Sequence, residues 1–277
     1  MIGIFDSGIG GLTVVKGVMD ALPGYDIIYF GDTARTPYGT KSSRTVVEYA
    51  LENTEFLVKN GAKMIVMACN TASSVATEAV RAAFDIPVYE VITPAVARCL
   101  EATGKGVIGV IGTRATISSG IYERKIREKK PDARVHCVPC PLLVPLVEEG
   151  WRKKPETRMI VKKYLHPLKV RQIDTLILGC THYPVLKEVI SRKIGKRVAI
   201  IDSSTATAES IRKFTADNPR LDASLSKTAA VRYFVSDITP HFQKTAKSII
   251  GHNIVLEHQG PFMQRPTKTG RSYDIPR

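Results

Sequence analysis

Eight short apolar runs recur along the chain, and amphipathic stretches separate them. The runs are IGIF, DIIYF, KMIVMA, PVYEV, KGVIGVIG, ARVHCV, DTLILG and RVAII. They are continuously apolar rather than alternating, which is typical of parallel strands covered on both faces. One of the intervening stretches, residues 42–61, opens with serine and closes on Gly61, as a capped helix does. This alternation of strand and helix predicts an open, doubly wound α/β sheet.

The turns that follow the strands indicate two similar units. The first strand, residues 2–5, and the fifth, residues 106–111, each end in a turn of small polar residues that enters a helix. In both units, a later strand ends in a turn that contains a cysteine. We therefore predict an α/β fold with two pseudosymmetric doubly wound parallel-sheet domains that face each other across an active-site cleft.

Domain boundaries follow from the lengths of these units. Two units of this size would leave roughly 60 folded residues over, so the later segment is expected to return to the first domain. We predict a first domain of residues 1–93 with 206–260 and a second domain of residues 94–205. Residues 261–277, without periodicity, are predicted to be a flexible tail.

Length and composition exclude several classes of protein. The 277 residues are 44% hydrophobic, enough for a substantial core. No apolar run approaches the ~20 residues that cross a bilayer. The first residues lack the features of a signal peptide, and five cysteines do not form a complete disulfide framework. A cytoplasmic protein with reduced thiols and no membrane contact is expected.

The charge is concentrated in the middle of the chain. The net charge is +14, and residues 94–205 carry 22 Lys/Arg against 10 Asp/Glu, a net +12. Such a segment can attract nucleic acid, a DNA enzyme, another acidic partner or a small anionic substrate, although a solvated cationic surface is the simpler interpretation. No zinc finger or RNA-binding signature accompanies these charges.

Polar residues follow the first two strands, where open α/β sheets bind ligands. Asp6 and Ser7 lead into a turn whose three glycines do not have dinucleotide-binding spacing. Asp6 could be a helix cap or contact a ligand. The loop GDTARTPYG, which contains Asp32, Tyr38 and Gly39, is either a binding loop or an ordinary turn.

Two cysteines, Cys69 and Cys180, occupy equivalent positions at strand ends. A single cysteine there would usually be a small buried hydrophobe, but two in similar units favour a shared function. A helix start is expected to lower the thiol pKa from roughly 8.5.

Cys99 is predicted to lie in the hydrophobic core. Cys137 and Cys140 form a C-x-x-C pair, but no second pair supports a zinc site.

Two thiols that face each other across a cleft can invert a stereocentre. One thiolate takes a proton from a bound carbon, and the other thiol returns a proton to the opposite face. Asp6 could assist one side and His182 the other. The carbanion needs fixed donors in a dry site. We expect no cofactor, because no pyridoxal-phosphate lysine signature or metal cluster is evident.

These motifs together resemble the glutamate racemases of the aspartate/glutamate racemase superfamily. The resemblance covers roughly residues 1–215 in order and rests on six motifs: GIFDSGIGGLTV, GDTARTPYG, MACNTAS, VIGTRAT, CPLLVPLVEEG and LGCTHYP. It implies a cofactor-independent, metal-free racemase that interconverts L- and D-glutamate and supplies D-glutamate for peptidoglycan. A homodimer is also expected.

The resemblance also implies roles for individual residues. The implied acid/base residues are Cys69, assisted by Asp6, and Cys180, assisted by His182. The implied substrate contacts are Asp6, Ser7, Tyr38, Gly39, Asn70, Thr71, Thr181 and His182, with Thr113 and Thr116 on the carboxylate side. Asp32 and Glu148 match further acidic positions.

Three alternatives stay open. The chain could be an aspartate racemase or another relative with a different substrate. It could be a basic protein that binds nucleic acid, in which case binding would be salt-sensitive and survive loss of both cysteines. It could be a thiol–disulfide oxidoreductase that uses Cys137 and Cys140.

Overall fold

The computed structural model describes residues 1–260, the side chain of His241 excepted. The predicted flexible tail, residues 261–277, lies outside the described residues. The strands are β1 (Ile2–Asp6), β2 (Ile27–Gly31), β3 (Met64–Met67), β4 (Val88–Glu90), β5 (Val107–Gly112), β6 (Arg134–Pro139), β7 (Thr175–Gly179), β8 (Ala199–Asp202), β9 (Val231–Val235) and β10 (Leu256–His258).

The helices lie between the strands and cover both faces of the sheets. They are α1 (Leu12–Ala21), α2 (Ser43–Lys59), α3 (Asn70–Val75), α4 (Thr77–Ala83), α5 (Ile92–Ala102), α6 (Arg114–Ser118), α7 (Ile121–Lys129), α8 (Leu143–Glu148), α9 (Pro155–Val170), α10 (Lys187–Ile194), α11 (Ser203–Asp217), α12 (Pro219–Ser224) and α13 (Pro240–Ile250).

Two parallel sheets form the framework. The first has the strand order β10-β9-β2-β1-β3-β4, and the second has the order β6-β5-β7-β8. The order β2-β1-β3-β4 in the first sheet matches β6-β5-β7-β8 in the second, which is the predicted pseudosymmetry. The predicted fold class is confirmed, and all eight predicted strands are present. β9 and β10, which we did not predict, extend the first sheet.

Alternate residues of the central strands are buried on opposite faces of each sheet. In β1, Ile4 belongs to the apolar cluster on one face and Phe5 to the cluster on the other. In β7, Leu176 and Ile177 divide between two clusters in the same way. Burial on both faces explains why the strands read as continuous apolar runs.

The helix predicted over residues 42–61 is α2, and local chemistry sets its limits. The Ser42 hydroxyl accepts a hydrogen bond from the Thr45 amide at 3.3 Å, which caps the first turn. Gly61 follows the helix with φ of +92°, a left-handed conformation that glycine adopts without strain.

Two helices join the halves of the molecule. α5 leads from the first sheet to the second, and α11 leads back. The predicted domain limits, 93/94 and 205/206, fall within these helices. The segment after residue 206 contributes β9 and β10 to the first sheet. The limits themselves stay a prediction.

No helix within residues 1–260 is long and apolar enough to span a bilayer. The same residues contain no group of three His, Cys, Asp or Glu side chains that could hold a metal ion.

Candidate active site

The two cysteines lie at the carboxyl ends of central strands, one in each sheet. Cys69 follows β3 and is the N-cap of α3, where its sulfur accepts a 3.5 Å hydrogen bond from the Ala72 amide. Cys180 follows β7 directly. Both are buried, with 4% and 6% of their surfaces exposed. The turns that follow these strand ends meet between the halves, since Thr181 contacts Asp6 and Thr71 contacts Thr113.

The environment of Cys69 is polar and buried. Its thiol donates a hydrogen bond to the Ser7 hydroxyl at 3.6 Å. Burial, the nearby Asp6 carboxyl and the charge of Cys180 together raise the pKa of Cys69 to about 12, against the lowering effect of the hydrogen bonds with Ala72 and Ser7. The expectation that the helix start lowers this pKa is therefore wrong, since desolvation outweighs the amide hydrogen bond. The two thiols are near enough to interact electrostatically.

Cys180 belongs to a chain of three polar side chains. Its sulfur lies 3.8 Å from Nδ1 of His182, and Nε2 of the same ring lies 3.1 Å from Oε1 of Glu148. Burial lowers the pKa of His182, but the hydrogen bonds with Cys180 and Glu148 raise it more, so that the pKa is well above its ordinary value. The imidazole therefore lies between a sulfur and a carboxylate, and both contacts favour its protonated form.

Glu148→Gln is expected to lower the pKa of His182, because the carboxylate is one of the groups that stabilise the charged ring. A raised pKa of His182 stabilises the folded protein. This contribution is fully present below about pH 6.5, the pKa of histidine in the unfolded chain, and it is lost as the pH rises through the pKa of His182 in the folded protein. The variant should therefore lose less stability than the parent over that interval. NMR titration of labelled histidine and thermal unfolding at several pH values measure both effects.

The matched control is Glu149→Gln, which removes the same charge from the exposed neighbouring residue. It should leave the pKa of His182 close to that of the parent. An unchanged pKa in Glu148→Gln would refute the assigned contact.

Asp6 lies between the two cysteine turns. Its Oδ2 accepts hydrogen bonds from the amides of Gly11 at 2.8 Å and Gly8 at 3.3 Å. The Thr181 hydroxyl, from the other half, lies 3.4 Å from both carboxylate oxygens. Burial raises the pKa of Asp6, and the charge of His182 and the loop amides lower it by less. Asp6 therefore orders the glycine loop and joins it to the turn of Cys180.

The glycine loop packs directly on that turn. A Cβ atom on Gly10 would lie 2.4 Å from Nδ1 of His182 and 2.4 Å from the Thr181 hydroxyl. Only a residue without a side chain permits so close an approach. Nearby, the Thr13 hydroxyl bonds the Thr181 carbonyl at 3.2 Å and the Ser204 hydroxyl at 2.8 Å.

Three threonine hydroxyls form a second contact between the halves. Thr71, which follows Cys69, lies 2.9 Å from Thr113 and 3.3 Å from Thr116, and the latter two are 2.9 Å apart. A Cβ on Gly39 would lie 2.6 Å from that of Thr113. Asn70, between Cys69 and Thr71, accepts a hydrogen bond from Tyr122 at 2.6 Å.

Asp32 and Tyr38 form a network of their own. Asp32 pairs with Arg35 at 2.7 Å and accepts a hydrogen bond from Ser236 at 2.9 Å. The Tyr38 hydroxyl donates to Asp32 and accepts from Asn53. These contacts give both residues a role in holding the loop of residues 31–39. The backbone amide of Asp32 ties that loop to Asp6 at 2.9 Å.

Sequence reasoning missed several residues that support the site. Tyr122 and Asn53 lie inside ordinary amphipathic helices, and Ser236 follows a strand that we did not predict. No motif marks them, because each acts through a contact formed only when distant segments fold together.

A cavity of about 190 Å³ adjoins the site. It is lined by Gly8, Ile9, Thr33, Thr36, Glu148, Glu149, Asp237, Thr239, Phe242 and Thr245. Its volume is below the roughly 300 Å³ at which ligand pockets usually begin. Neither cysteine lines this cavity, and both thiols are almost fully buried.

The fold, with its two similar parallel sheets, is that of an amino-acid racemase. The family described as Asp/Glu/Hydantoin racemase matches residues 12–211. The chain belongs to this family, and its relatives place it among the glutamate racemases.

Three similar proteins illustrate this relationship. Glutamate racemase from Persephonella marina is 50% identical over 256 residues, which cover 92% of this chain and 95% of the relative. The crystal structure of glutamate racemase from Bacillus anthracis is 36% identical, with a TM-score of 0.88 and coverage of 94% and 97%. The enzyme from Francisella tularensis, solved with D-glutamate, is 40% identical, with a TM-score of 0.86 and the same coverage.

Proposed function

We propose that the protein interconverts L- and D-glutamate without a cofactor, by a two-base reaction that uses Cys69 and Cys180. The central support is the arrangement of two buried thiols, one from each half, with different polar neighbours. The similar protein from Francisella tularensis was solved with D-glutamate, which supports the choice of substrate.

Each turnover transfers two protons and leaves the two sulfurs with exchanged protonation states. One thiolate removes the proton from the α-carbon, and the opposite thiol gives its proton to the other face of the carbanion. The first sulfur is then a thiol and the second a thiolate, so the reverse reaction begins from the product state. The raised pKa of Cys69 favours its neutral thiol, which is the form that donates a proton.

The remaining polar residues would bind the charged groups of the amino acid. Asp6 and Ser7 would bind the ammonium group, with Tyr38 and Gly39 in the adjoining loop. The carboxylate oxygens of glutamate would accept hydrogen bonds from the side chains of Asn70, Thr71, Thr113, Thr116 and Thr181. Asp6 would assist Cys69, and His182, held by Glu148, would assist Cys180.

Incubation in heavy water tests both activity and mechanism. With either enantiomer of glutamate, the dialysed protein is expected to invert the optical signal and to replace the α-proton by deuterium without an added cofactor. Circular dichroism follows inversion, and proton NMR follows exchange. Unchanged glutamate in both measurements would overturn the proposal.

A panel of amino acids tests the substrate. Aspartate is shorter by one methylene, a difference that is worth about 10- to 200-fold in specificity in a fitted pocket. We expect kcat/KM for aspartate to be lower than that for glutamate by an amount in this range. Faster turnover of aspartate would favour the aspartate racemase alternative.

The biological role and partners are proposals of the same kind. We propose that the product supplies D-glutamate for peptidoglycan in the cytoplasm, and that the protein is a homodimer. Rescue of a bacterium that requires D-glutamate, and the mass of the protein in solution, test these two points.

Other functions have less support. Burial raises the pKa of Cys137 to about 11, whereas a redox C-x-x-C pair needs a thiol of lowered pKa. The basic residues Lys162, Lys169, Arg192 and Lys193 line a groove between α9 and α10, so contact with nucleic acid or a DNA enzyme stays a prediction of the charge pattern.

A further inference from the structure

We propose that Tyr122 is a positioning residue that sets the orientation of the Asn70 amide and joins the two cysteine turns. The inference rests on the proposed function, because it concerns how that site holds the carboxylate of its substrate. It involves a residue that lies in α7, outside every motif of the sequence.

Tyr122 contacts the residue next to each cysteine. Its hydroxyl donates a 2.6 Å hydrogen bond to Oδ1 of Asn70, which follows Cys69. Its ring packs on Gly179, which precedes Cys180, so closely that a Cβ there would lie 3.1 Å from Cε2 of the ring. Tyr122 is 2% exposed. One rigid side chain therefore links the two turns and limits how far they can move relative to each other.

The contact also fixes which atom of the Asn70 side-chain amide faces Tyr122. A separation of 2.6 Å is typical of an O–H···O hydrogen bond and is short for N–H···O, so the carbonyl oxygen of Asn70 faces Tyr122. The Asn70 side chain is 2% exposed, and its Nδ2 group has no hydrogen-bond partner among residues 1–260. A buried donor without a partner carries a cost of about 1–3 kcal/mol.

A ligand oxygen would remove this cost. Nδ2 offers two N–H donors beside Cys69, and the substrate carboxylate is an acceptor that carries a full charge. Without the Tyr122 hydroxyl, the amide can rotate by half a turn and present its carbonyl oxygen to the carboxylate, which repels it. Tyr122 therefore acts on substrate binding through Asn70, and it does not touch the reacting atoms.

Tyr122→Phe removes the hydroxyl and retains the ring that packs on Gly179. We expect KM for both enantiomers of glutamate to rise about five- to tenfold, with kcat within about twofold of the parent. In an Asn70→Ala background, the same change should alter KM by less than about twofold, because the group through which it acts is gone.

A second measurement needs no activity. In the ligand-free protein, the side-chain amide signals of Asn70, identified by their loss in Asn70→Ala, should shift or broaden in Tyr122→Phe. Because this readout is independent of turnover, it separates failure of the positioning role from failure of the proposed racemase activity.

Tyr233→Phe is the matched control, since it removes a buried phenol hydroxyl, which contacts Met19 in the first half. It should leave KM and the Asn70 signals unchanged. Parental KM in Tyr122→Phe, unchanged Asn70 signals, or an equal effect with and without Asn70 would each overturn the proposal. A loss of thermal stability alone, with KM unaltered, would show a structural role only.

Discussion

Replacement of Cys69 or Cys180 by alanine is expected to lower kcat/KM for glutamate racemisation by about 10²- to 10⁴-fold. Acid/base groups contribute this range, and each thiol serves a face of the carbon that the other cannot reach. The double variant should lose little more than either single one, because one missing partner already prevents inversion. Stopped assays by chiral chromatography can measure losses of this size.

The control for these variants is Cys137→Ala. Cys137 is a partly buried thiol on β6, the edge strand of the second sheet, and its loss should leave kcat/KM within about twofold of the parent. Thermal unfolding of all four proteins must show a folded state. A racemisation rate close to that of the parent in Cys69→Ala or Cys180→Ala would exclude the two-base mechanism.

Gly10→Ala should have an effect almost as large without changing any ionisable group. The added methyl would lie 2.4 Å from both His182 and Thr181, closer than atoms of real side chains approach, so the turn of Cys180 must move. A displacement of about 1 Å in a reacting group can cost on the order of 100-fold. We expect a loss of this order in kcat/KM, together with a lower melting temperature.

Gly104→Ala is the matched control for this substitution. Gly104 is exposed, its backbone is not left-handed, and a Cβ there would meet no atom within 4 Å. Its kinetics and melting temperature should match those of the parent. If Gly10→Ala were equally harmless, the close packing of the glycine loop on the Cys180 turn would not exist in solution.

The sequence predicted the framework because the relevant signals are local. Continuous apolar runs define strands that are covered on both faces, and the cysteine turns mark equivalent positions in the two units. β9 was missed because the exposed Arg232 interrupts its apolar run, although Tyr233, Phe234 and Val235 are buried, and because it lies outside both repeats. Its place in the first sheet became visible only in the structure, where it pairs with β2.

The site was predictable in part. Motifs named the cysteines, Asp6 and His182, but they carried no information on burial. The pKa of Cys69 depends on how completely the second half covers it, which is a property of the assembled structure. The same holds for Glu148, whose contact with His182 spans 34 residues, and for Tyr122, whose partner Asn70 is 52 residues away.

The paired connections through α5 and α11 bear on how substrate reaches thiols that are almost fully covered. Within residues 1–260 the backbone passes between the two sheets at these helices, so a change in the angle between the halves would need backbone rotation only there. Such a rotation would separate the threonine hydroxyls and the glycine loop from their partners and break the hydrogen bond between Tyr122 and Asn70, while every strand ladder stays intact. Admission of an amino acid would then cost a few polar contacts rather than any unfolding.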